Sequence, residues 1–150
     1  MTDKVITVER VIPAPAEKIF DLLADPAMHP VMDGSGTVNK SNPGNPERLS
    51  LGARFAMGMR LGGRYRVRNK VSEFEEGRRI AWHHFAHNVW RYELEPADGG
   101  TRVRESFDWS KGRFPGFVLK RLGFMDRNKP GMEKTLENIE MYLKDRPATA

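Results

Sequence analysis

The sequence predicts an α+β fold in which an antiparallel meander of strands is covered by one long C-terminal helix. Two observations lead to this prediction. Between residues 53 and 109, segments in which apolar and polar side chains alternate are joined by short connections, which favour antiparallel neighbours. Beyond residue 115, apolar residues recur with the period of an amphipathic helix. Because one face of such a meander is apolar, we expect the helix to cover that face.

The first forty residues predict one strand, two short helices and a weak second strand. Residues 5–12 are rich in β-branched side chains and predict a strand, which Pro13 ends. Residues 16–24 place their apolar side chains on one helical face and predict a helix. Residues 28–32 favour a further short helical turn, and residues 34–40 form a weak strand candidate.

A loop over residues 41–50, rich in proline, glycine and asparagine, leads into five further strands. These strands are predicted over residues 53–60, 64–75, 79–87, 89–95 and 101–109. Glycine or asparagine lies in the short connections between them, as expected of tight turns.

The C-terminal third predicts helices that are interrupted near Pro130. The main helix is expected over residues 130–144, after a short helix over residues 115–122 and an irregular segment over residues 123–129. Proline interrupts a helix because it removes one backbone hydrogen bond and restricts the backbone conformation of the residue before it. A single kinked helix is the alternative. The apolar face of the main helix consists of Met132, Leu136, Ile139 and Leu143.

Strand alternation assigns the side chains of the meander to two faces. The inner face is predicted to carry Phe55, Met57, Met59, Tyr65, Val67, Asn69, Val71, Ile80, Trp82, His84, Trp90, Tyr92, Leu94, Val103, Glu105, Phe107 and Trp109. Aromatic and methionine side chains interrupted by a few polar groups are typical of a ligand cavity. The same spacing is typical of an ordinary solid core, so the pattern by itself leaves both interpretations open.

Size and composition narrow the class of protein. A chain of 150 residues without cysteine is typical of a single domain in a reducing compartment, which predicts a cytoplasmic location. No run approaches the roughly 18 apolar residues of a membrane span, and the N-terminus lacks the apolar core of a signal peptide. The formal net charge is a modest +5 and no nucleic-acid-binding motif is present, so we expect no nucleic-acid partner.

Four segments resemble the SRPBCC or START-like superfamily, in particular its polyketide cyclase/dehydrase and lipid-transport-like members. They are residues 11–26, residues 71–82, residues 100–103 with 107–110, and residues 131–136, in the family's order. The resemblance implies a single START-like helix-grip domain over residues 1–150. In this fold a seven-stranded antiparallel sheet wraps around a long C-terminal helix, with two short helices after the first strand. The resemblance also implies a ligand cavity between sheet and helix, and it carries over no shared catalytic motif.

His84 and Glu105 are the candidate catalytic residues, because both are predicted to face inward. A cyclase or dehydratase needs a proton acceptor near a carbonyl and a proton donor for the departing oxygen. The alternative is that both are polar groups satisfied by the protein. A metal site formed by His83, His84 and His87 is disfavoured, because the first two point to opposite faces and His83 and His87 would lie roughly 13 Å apart. We therefore expect no metal and no cofactor.

Two groups of basic residues were considered for surface functions. Arg64, Arg66, Arg68 and Lys70 form a stripe on the outer face of one strand, and Glu93 and Glu95 on a nearby strand predict cross-strand ion pairs. A second group mixes cations with apolar side chains and favours transient contact with a membrane surface or an entrance for an amphipathic ligand, with a solvated helix as the alternative. It comprises Lys111, Arg113, Phe114, Phe117, Lys120, Arg121, Phe124, Met125, Arg127 and Lys129.

The leading hypothesis is a protein that binds a small hydrophobic or amphipathic molecule, such as a lipid, a polyketide or an aromatic metabolite. Its predicted ligand-binding residues are Phe55, Met57, Met59, Tyr65, Val67, Asn69, Trp82, His84, Trp90, Tyr92, Glu105, Phe107, Trp109, Phe117, Phe124, Met125, Met132 and Leu136. The alternatives are a polyketide cyclase/dehydratase-like enzyme that uses His84 and Glu105, and a partner-regulated interaction module of the same fold.

Overall fold

The computed structural model describes residues 5–36, 38–60, 63–84, 88–110 and 124–145, and in the last range the side chains of residues 129–144. Seven strands are present: β1 (Val5–Ile12), β2 (Val38–Ser41), β3 (Arg54–Arg60), β4 (Arg64–Glu75), β5 (Arg79–His83), β6 (Val89–Ala97) and β7 (Gly100–Asp108). The helices are α1 (Ala16–Leu23), α2 (His29–Met32) and α3 (Phe124–Asp145), and a 3-10 turn (Pro26–Met28) precedes α2.

The strands form one curled antiparallel sheet in the order β1-β7-β6-β5-β4-β3-β2. Each strand from β2 to β7 lies beside its neighbour in sequence, as short connections require. β1 pairs along its whole length with β7, from Val5 opposite Asp108 to Ile12 opposite Thr101. The long helix α3 packs on β1 and β7 and contacts α1 and α2. The predicted helix-grip architecture is therefore confirmed.

The core lies between the inner face of the sheet and the helices. Ile19, Phe20 and Leu23 of α1 are fully buried, as the predicted apolar face of this helix requires. Met132, Leu136 and Ile139 of α3 are also buried, which places the predicted face of the long helix against the sheet. The ion pair of Arg10 Nε with Glu140 Oε1, at 3.0 Å, joins β1 to α3 at the rim of this core.

The second strand is shorter than predicted, because a carboxylate organises the residues before it. Residues 34–36 form bends, and β2 begins only at Val38. Asp33 accepts hydrogen bonds from the Ser35 hydroxyl (2.8 Å) and from the backbone N–H groups of Gly36 (2.9 Å) and Val38 (3.2 Å). A side chain that binds nearby backbone donors in this way favours a turn over a strand.

The long helix continues through Pro130, so the predicted irregular segment is wrong over residues 124–129, and from residue 124 there is one helix, as in the alternative of a single kinked helix. Tertiary contacts offset the lost helical hydrogen bond. The Thr135 hydroxyl donates to the Gly131 carbonyl and accepts from the Gly34 N–H, both at 2.9 Å. A Cβ atom on Gly34 would lie 2.4 Å from the Gly131 carbonyl oxygen, so only glycine permits this close packing. The short helix predicted over residues 115–122 lies outside the described residues.

A β-bulge in β4 changes which side chains face outward. Val71 lies opposite Trp82 and Glu73 lies opposite Ala81, so Ser72 is an extra residue in the strand. Before the bulge the outward residues have even numbers, as in Arg68, and after it they have odd numbers, as in Glu73. The alternation from Tyr65 to Val71 is as predicted, whereas the bulge was not foreseen.

Candidate ligand-binding site on the inner face of the sheet

The most unusual group on the inner face is the carboxyl of Glu105. It lies on β7 directly opposite Tyr92 of β6, and the Tyr92 hydroxyl is its hydrogen-bonding neighbour. Glu105 is 2% exposed, and its Oε1 atom has no hydrogen-bond partner within the described part of the chain. A buried polar atom without a partner is costly, which makes this oxygen a natural place for a ligand contact.

Burial favours the neutral form of both members of this pair. Burial raises the pKa of Glu105 well above its ordinary value of 4.5. The hydrogen bond from Tyr92 opposes this shift, and the nearby Asp33 carboxylate adds to it. Burial also raises the pKa of Tyr92 well above 10.0, with contributions from the charge and the hydrogen bond of Glu105. No described cation forms an ion pair with either residue. A protonated carboxyl beside a phenol presents hydrogen-bond donors to the interior.

An aromatic cluster adjoins this pair at the centre of the sheet. Trp82 lies 5.6 Å from Tyr92 and 5.6 Å from Phe55, measured between ring centroids. The His29 ring stacks on Trp82 at 4.9 Å and meets Phe55 edge-on at 5.5 Å. Rings at these separations pack favourably and form a rigid apolar wall.

His29 is a site residue that the sequence analysis missed. Its Nε2 lies 2.8 Å from the Leu23 carbonyl oxygen, which can only accept, so Nε2 carries the proton. Burial lowers the pKa of His29 below 6.5 and keeps the ring neutral. The only sequence signal was its position within the apolar turn before Pro30. Its contact with Trp82 depends on α2 folding back onto the sheet, which local periodicity does not encode.

A second aromatic cluster lies further along the inner face. Trp90 and Phe107 are opposite each other on β6 and β7, with ring centroids 4.5 Å apart. Trp109 follows β7 and lies 6.0 Å from Phe107. Phe107 is buried, whereas Trp90 and Trp109 are only half-buried. Their remaining exposure makes this cluster the more accessible part of the apolar wall.

Most predicted ligand-binding residues lie on the inner face, although they are not equally covered. Those that are buried are Phe55, Met57, Asn69, Trp82, Tyr92, Glu105, Phe107, Met132 and Leu136, and those that are partly buried are Met59, Val67, His84, Trp90 and Trp109. Tyr65 is 45% exposed, because it lies at the start of β4, opposite Met59 and near the tip of the hairpin. Phe124 and Met125 belong to α3, their side chains fall outside the described part, and Phe117 lies outside the described residues.

His84 and Glu105 are not neighbours. β5 ends at His83 rather than at residue 87, so His84 follows the strand. Glu105 lies opposite Tyr92, which lies opposite Ile80, and His84 is four residues beyond Ile80. This register separates the two residues by about 13 Å along the strands and about 10 Å across them. The predicted catalytic pair therefore lacks the proximity that a shared proton transfer needs.

The described residues contain neither a metal-binding cluster nor a helix that could span a membrane. Within the described ranges, no three His, Asp or Glu side chains are grouped closely enough to hold a metal ion. His83 is paired with Lys70 across the sheet, on the face opposite to the aromatic clusters. None of the described helices is long and apolar enough to cross a membrane.

Comparisons with known proteins identify the family and support the fold. The model of the family described as polyketide cyclase/dehydrase and lipid transport matches residues 4–144. Protein NE0264 from Nitrosomonas europaea has the same fold, with a TM-score of 0.75, 17% identity and 99% of both chains covered. An AHSA1-like protein from Aeromonas hydrophila has a TM-score of 0.65 at 18% identity, covering 94% of this chain and 92% of its own.

Curated relatives are found in Mycobacterium tuberculosis. Uncharacterized protein Rv0088 of strain H37Rv is 34% identical over 141 residues, which is 90% of this chain. Uncharacterized protein MT0096 of strain CDC 1551 is 33% identical over the same length. The chain spans 62% of the length of these curated relatives.

Proposed function

Because the chain belongs to the polyketide cyclase/dehydrase and lipid transport family, we propose that it binds a small hydrophobic or amphipathic molecule between the inner face of the sheet and α3. Candidate ligands are lipids, polyketides and aromatic metabolites. The single observation that carries the proposal is the buried Glu105 carboxyl, whose Oε1 has no partner within the described part of the chain. In a solid core this oxygen would stay without a hydrogen bond, which costs free energy. A bound ligand that forms a hydrogen bond with it would remove that cost.

The chemistry of the site suggests which part of the ligand contacts Glu105. Burial raises the pKa of both Glu105 and Tyr92 and so favours the protonated form of each side chain, which is a hydrogen-bond donor. Donors of this kind fit a carbonyl or hydroxyl oxygen. They fit a second carboxylate less well, since Asp33 already contributes negative charge nearby. The ligand we propose therefore combines an apolar body with a neutral oxygen.

The apolar body of the ligand would contact the two aromatic clusters. Trp82 and Trp90 lie directly opposite each other on β5 and β6 and so connect the clusters across the sheet. Flat aromatic side chains offer a large contact area at a small cost in conformational entropy. Met59 is a more adaptable part of the same wall, because its unbranched side chain changes shape easily.

Native mass spectrometry of the purified protein, followed by titration of tryptophan fluorescence, tests this proposal. The probes are a long-chain fatty alcohol, a fatty acid and a hydroxylated polycyclic aromatic compound. We expect at least one of the neutral probes to bind. Glu105→Leu should weaken that binding by about 10- to 100-fold, because the ligand oxygen loses its hydrogen bond. Glu105→Gln should retain affinity within about threefold, because its amide keeps donors at this position.

Ser106→Ala provides the matched control for these variants. Ser106 is the next residue of β7 and is equally buried, but its side chain points to the other face and contacts the Thr7 hydroxyl at 3.1 Å. Its removal should leave ligand affinity unchanged. Failure of every probe to bind the wild-type protein, or equal loss of affinity in Glu105→Leu and Ser106→Ala, would contradict the proposal.

A second candidate function is catalysis of the cyclase or dehydratase kind, which the raised pKa of Glu105 favours. A raised pKa favours the protonated carboxyl, which can give its proton to a departing oxygen. Turnover that Glu105→Gln abolishes, while ligand binding survives, would support this function. His84→Ala tests the originally predicted pair: loss of turnover in both variants would assign a role to His84 in spite of its distance from Glu105.

A further inference from the structure

The outer face of the sheet carries a dense group of cations over β2, β3 and β4. The strand register places the side chains of these cations on the outer side of the sheet, because the outward residues of β4 lie opposite those of β3. Lys40 of β2 packs over Gly58 of β3 on the same side. We call this group the basic face. It consists of Lys40, Arg54, Arg60, Arg64, Arg66, Arg68 and Lys70, all of them exposed.

None of these seven cations forms an ion pair with any residue that the structure describes. The ion pairs predicted for Glu93 and Glu95 are formed with other partners. Glu93 pairs with Arg79 at 3.5 Å, and Glu95 pairs with Arg102 at 3.0 Å. The prediction that these acidic residues neutralise the basic stripe is therefore wrong. The reason is register, since β5 and β7 supply closer partners for β6 than β4 does.

The basic face also brings like charges together. Arg54 lies directly opposite Lys70, and Arg60 lies directly opposite Arg64. Like charges in directly opposite positions destabilise a sheet. The bulge at Ser72 then ends the stripe, because Glu73 and Glu75 occupy the outward positions beyond it. The cations are thus concentrated in one half of the outer face, at a cost to stability that an external anion would remove.

The basic face is a two-dimensional array of cations. Outward residues along a strand are spaced about 6.8 Å apart and neighbouring strands about 4.8 Å apart, so the array covers roughly 20 Å by 10 Å. An open groove of about 440 Å³ lies at its edge and is lined in part by Lys40, Arg64 and Arg66. Leu51, which is 66% exposed, lies in the turn that bonds to β4 beside Lys70.

We propose that the basic face docks the protein on an anionic lipid surface. A two-dimensional array of cations on the outer face complements a surface of anionic headgroups, and clusters of four to eight Lys and Arg residues bind such surfaces. Nucleic acid fits less well, because the outward positions between these cations are Ala56 and Gly58, and the exposed aromatic Tyr65 lines only the groove at the edge of the array. The groove has room for a headgroup, and Leu51 supplies an apolar contact at the rim.

Vesicle sedimentation tests this proposal with the full chain. The probes are phosphatidylcholine vesicles and vesicles with 30% phosphatidylglycerol, each at low and high salt. We expect binding only to the anionic vesicles, and its loss at high salt. Since each cation near such a surface contributes roughly fivefold to affinity, Arg64→Glu/Arg66→Glu/Arg68→Glu should weaken binding by at least about 100-fold.

Arg78→Glu/Lys134→Glu/Lys144→Glu is the matched control, because it changes the net charge equally at exposed positions outside the basic face. It should bind anionic vesicles within about threefold of wild type. The milder Arg66→Gln/Arg68→Gln variant repeats the test if the reversed triple variant fails to fold. Equal losses in the triple variant and its control, or equal binding to both vesicle types, would overturn the proposal.

Two further outcomes would also overturn it. One is absence of vesicle binding by the wild-type protein. The other is tighter binding of a single-stranded oligonucleotide than of anionic vesicles, with loss in the basic-face variant. Ligand affinity in solution should be the same in the basic-face variant and the wild type. The docking surface and the interior site are therefore tested independently.

Discussion

The two halves of the outer face of the sheet differ in whether their cations have acidic partners. Over β5, β6 and β7 the cations have acidic partners: Arg91 with Glu73, Arg79 with Glu93, Arg102 with Glu95, and Arg104 with Glu9. Over β2, β3 and β4 the basic face has no such partner among the described residues. Both halves belong to one continuous sheet, so the fold does not account for the difference.

The charges in the two halves contribute differently to the stability of the fold. In the paired half, oppositely charged cross-strand neighbours contribute a little to stability. In the basic half, like charges face one another, which stability alone does not favour. Because the boundary coincides with the bulge at Ser72, a single extra residue separates a surface that supports the fold from one suited to an external partner.

The largest change in the free energy of unfolding is expected from breaking the ion pair of Arg91 with Glu73 in the paired half. Arg91 Nε lies 3.0 Å from Glu73 Oε1, and Arg91 Nη2 lies 2.5 Å from Glu73 Oε2. Glu73→Gln should lower the free energy of unfolding by about 1–2 kcal/mol, because it leaves the half-buried Arg91 guanidinium with only the more distant Asp108 carboxylate, 3.9 Å away. Arg66→Gln in the basic half should change it by less than about 0.5 kcal/mol. Denaturant unfolding measures both, and equal effects would remove the contrast.

The same pair predicts a pH dependence. The Arg91 hydrogen bond lowers the pKa of Glu73 below its ordinary value of 4.5. A carboxyl whose folded-state pKa is depressed adds stability that is complete above the unfolded-state pKa and is lost as the pH falls through the folded-state pKa. The stability difference between wild type and Glu73→Gln should therefore be constant above pH 4.5 and shrink below it. Unfolding measured from pH 7 to pH 3 checks this prediction, and a difference that grows in acid would contradict it.

His29 adds a further dependence of stability on pH, which the wild type and Glu73→Gln share. Its pKa is lowered below 6.5 by burial, so the unfolded chain binds a proton at a pH where the folded chain does not. Stability should therefore fall as the pH drops below 6.5, in the wild type and in Glu73→Gln alike. His29→Gln should reduce this slope, and denaturant unfolding at pH 7 and pH 5 measures the change. An undiminished slope would exclude His29 as its source.

A smaller effect is expected from exchanging charges between the halves. Arg54→Glu places an anion opposite Lys70 and should stabilise the fold by about 0.2–1 kcal/mol. Arg102→Glu places two anions opposite each other, because Glu95 is its cross-strand neighbour, and should destabilise it by a similar amount. Thermal unfolding of the two variants compares them directly. Changes of the same sign would show that cross-strand pairing does not govern either half.

The smallest change in stability is expected from a change in salt concentration. Screening weakens both attraction and repulsion between exposed charges. Raising the ionic strength from about 0.1 M to about 0.5 M should therefore stabilise the wild type slightly relative to Arg54→Glu, by no more than about 0.5 kcal/mol. Thermal unfolding at the two salt concentrations measures the difference. A relative destabilisation of the wild type would indicate that the basic face is not self-repelling.

Local patterns predicted most of the fold and the composition of the inner face. Alternation placed Glu105 and Tyr92 on the same side of the meander, and the register brings them opposite each other. The helical period identified Met132 and Leu136 as buried. These predictions succeed because side-chain direction in a strand or helix depends on a few neighbouring residues.

Features that depend on contacts between distant segments were not predicted. The stacking of His29 on Trp82 requires α2 to fold back onto the sheet. The separation of His84 from Glu105 requires knowledge of the register across β5, β6 and β7. The continuation of α3 through Pro130 depends on packing of Gly34 and Thr135 against the helix. Periodicity reports none of these contacts, because each one joins residues far apart in the chain.

The amino-acid sequence by itself determined the order of the elements, the side that faces the core in β3, β5, β6, β7 and the first half of β4, and the row of cations in β4. Only the tertiary structure decided which acidic residue pairs with which cation. Pairing is decided by register, which turn lengths and the bulge at Ser72 set. Burial of Glu105 was decided in the same way, since a strand residue becomes buried only when another layer covers it. The raised pKa of Glu105 is a consequence of that covering.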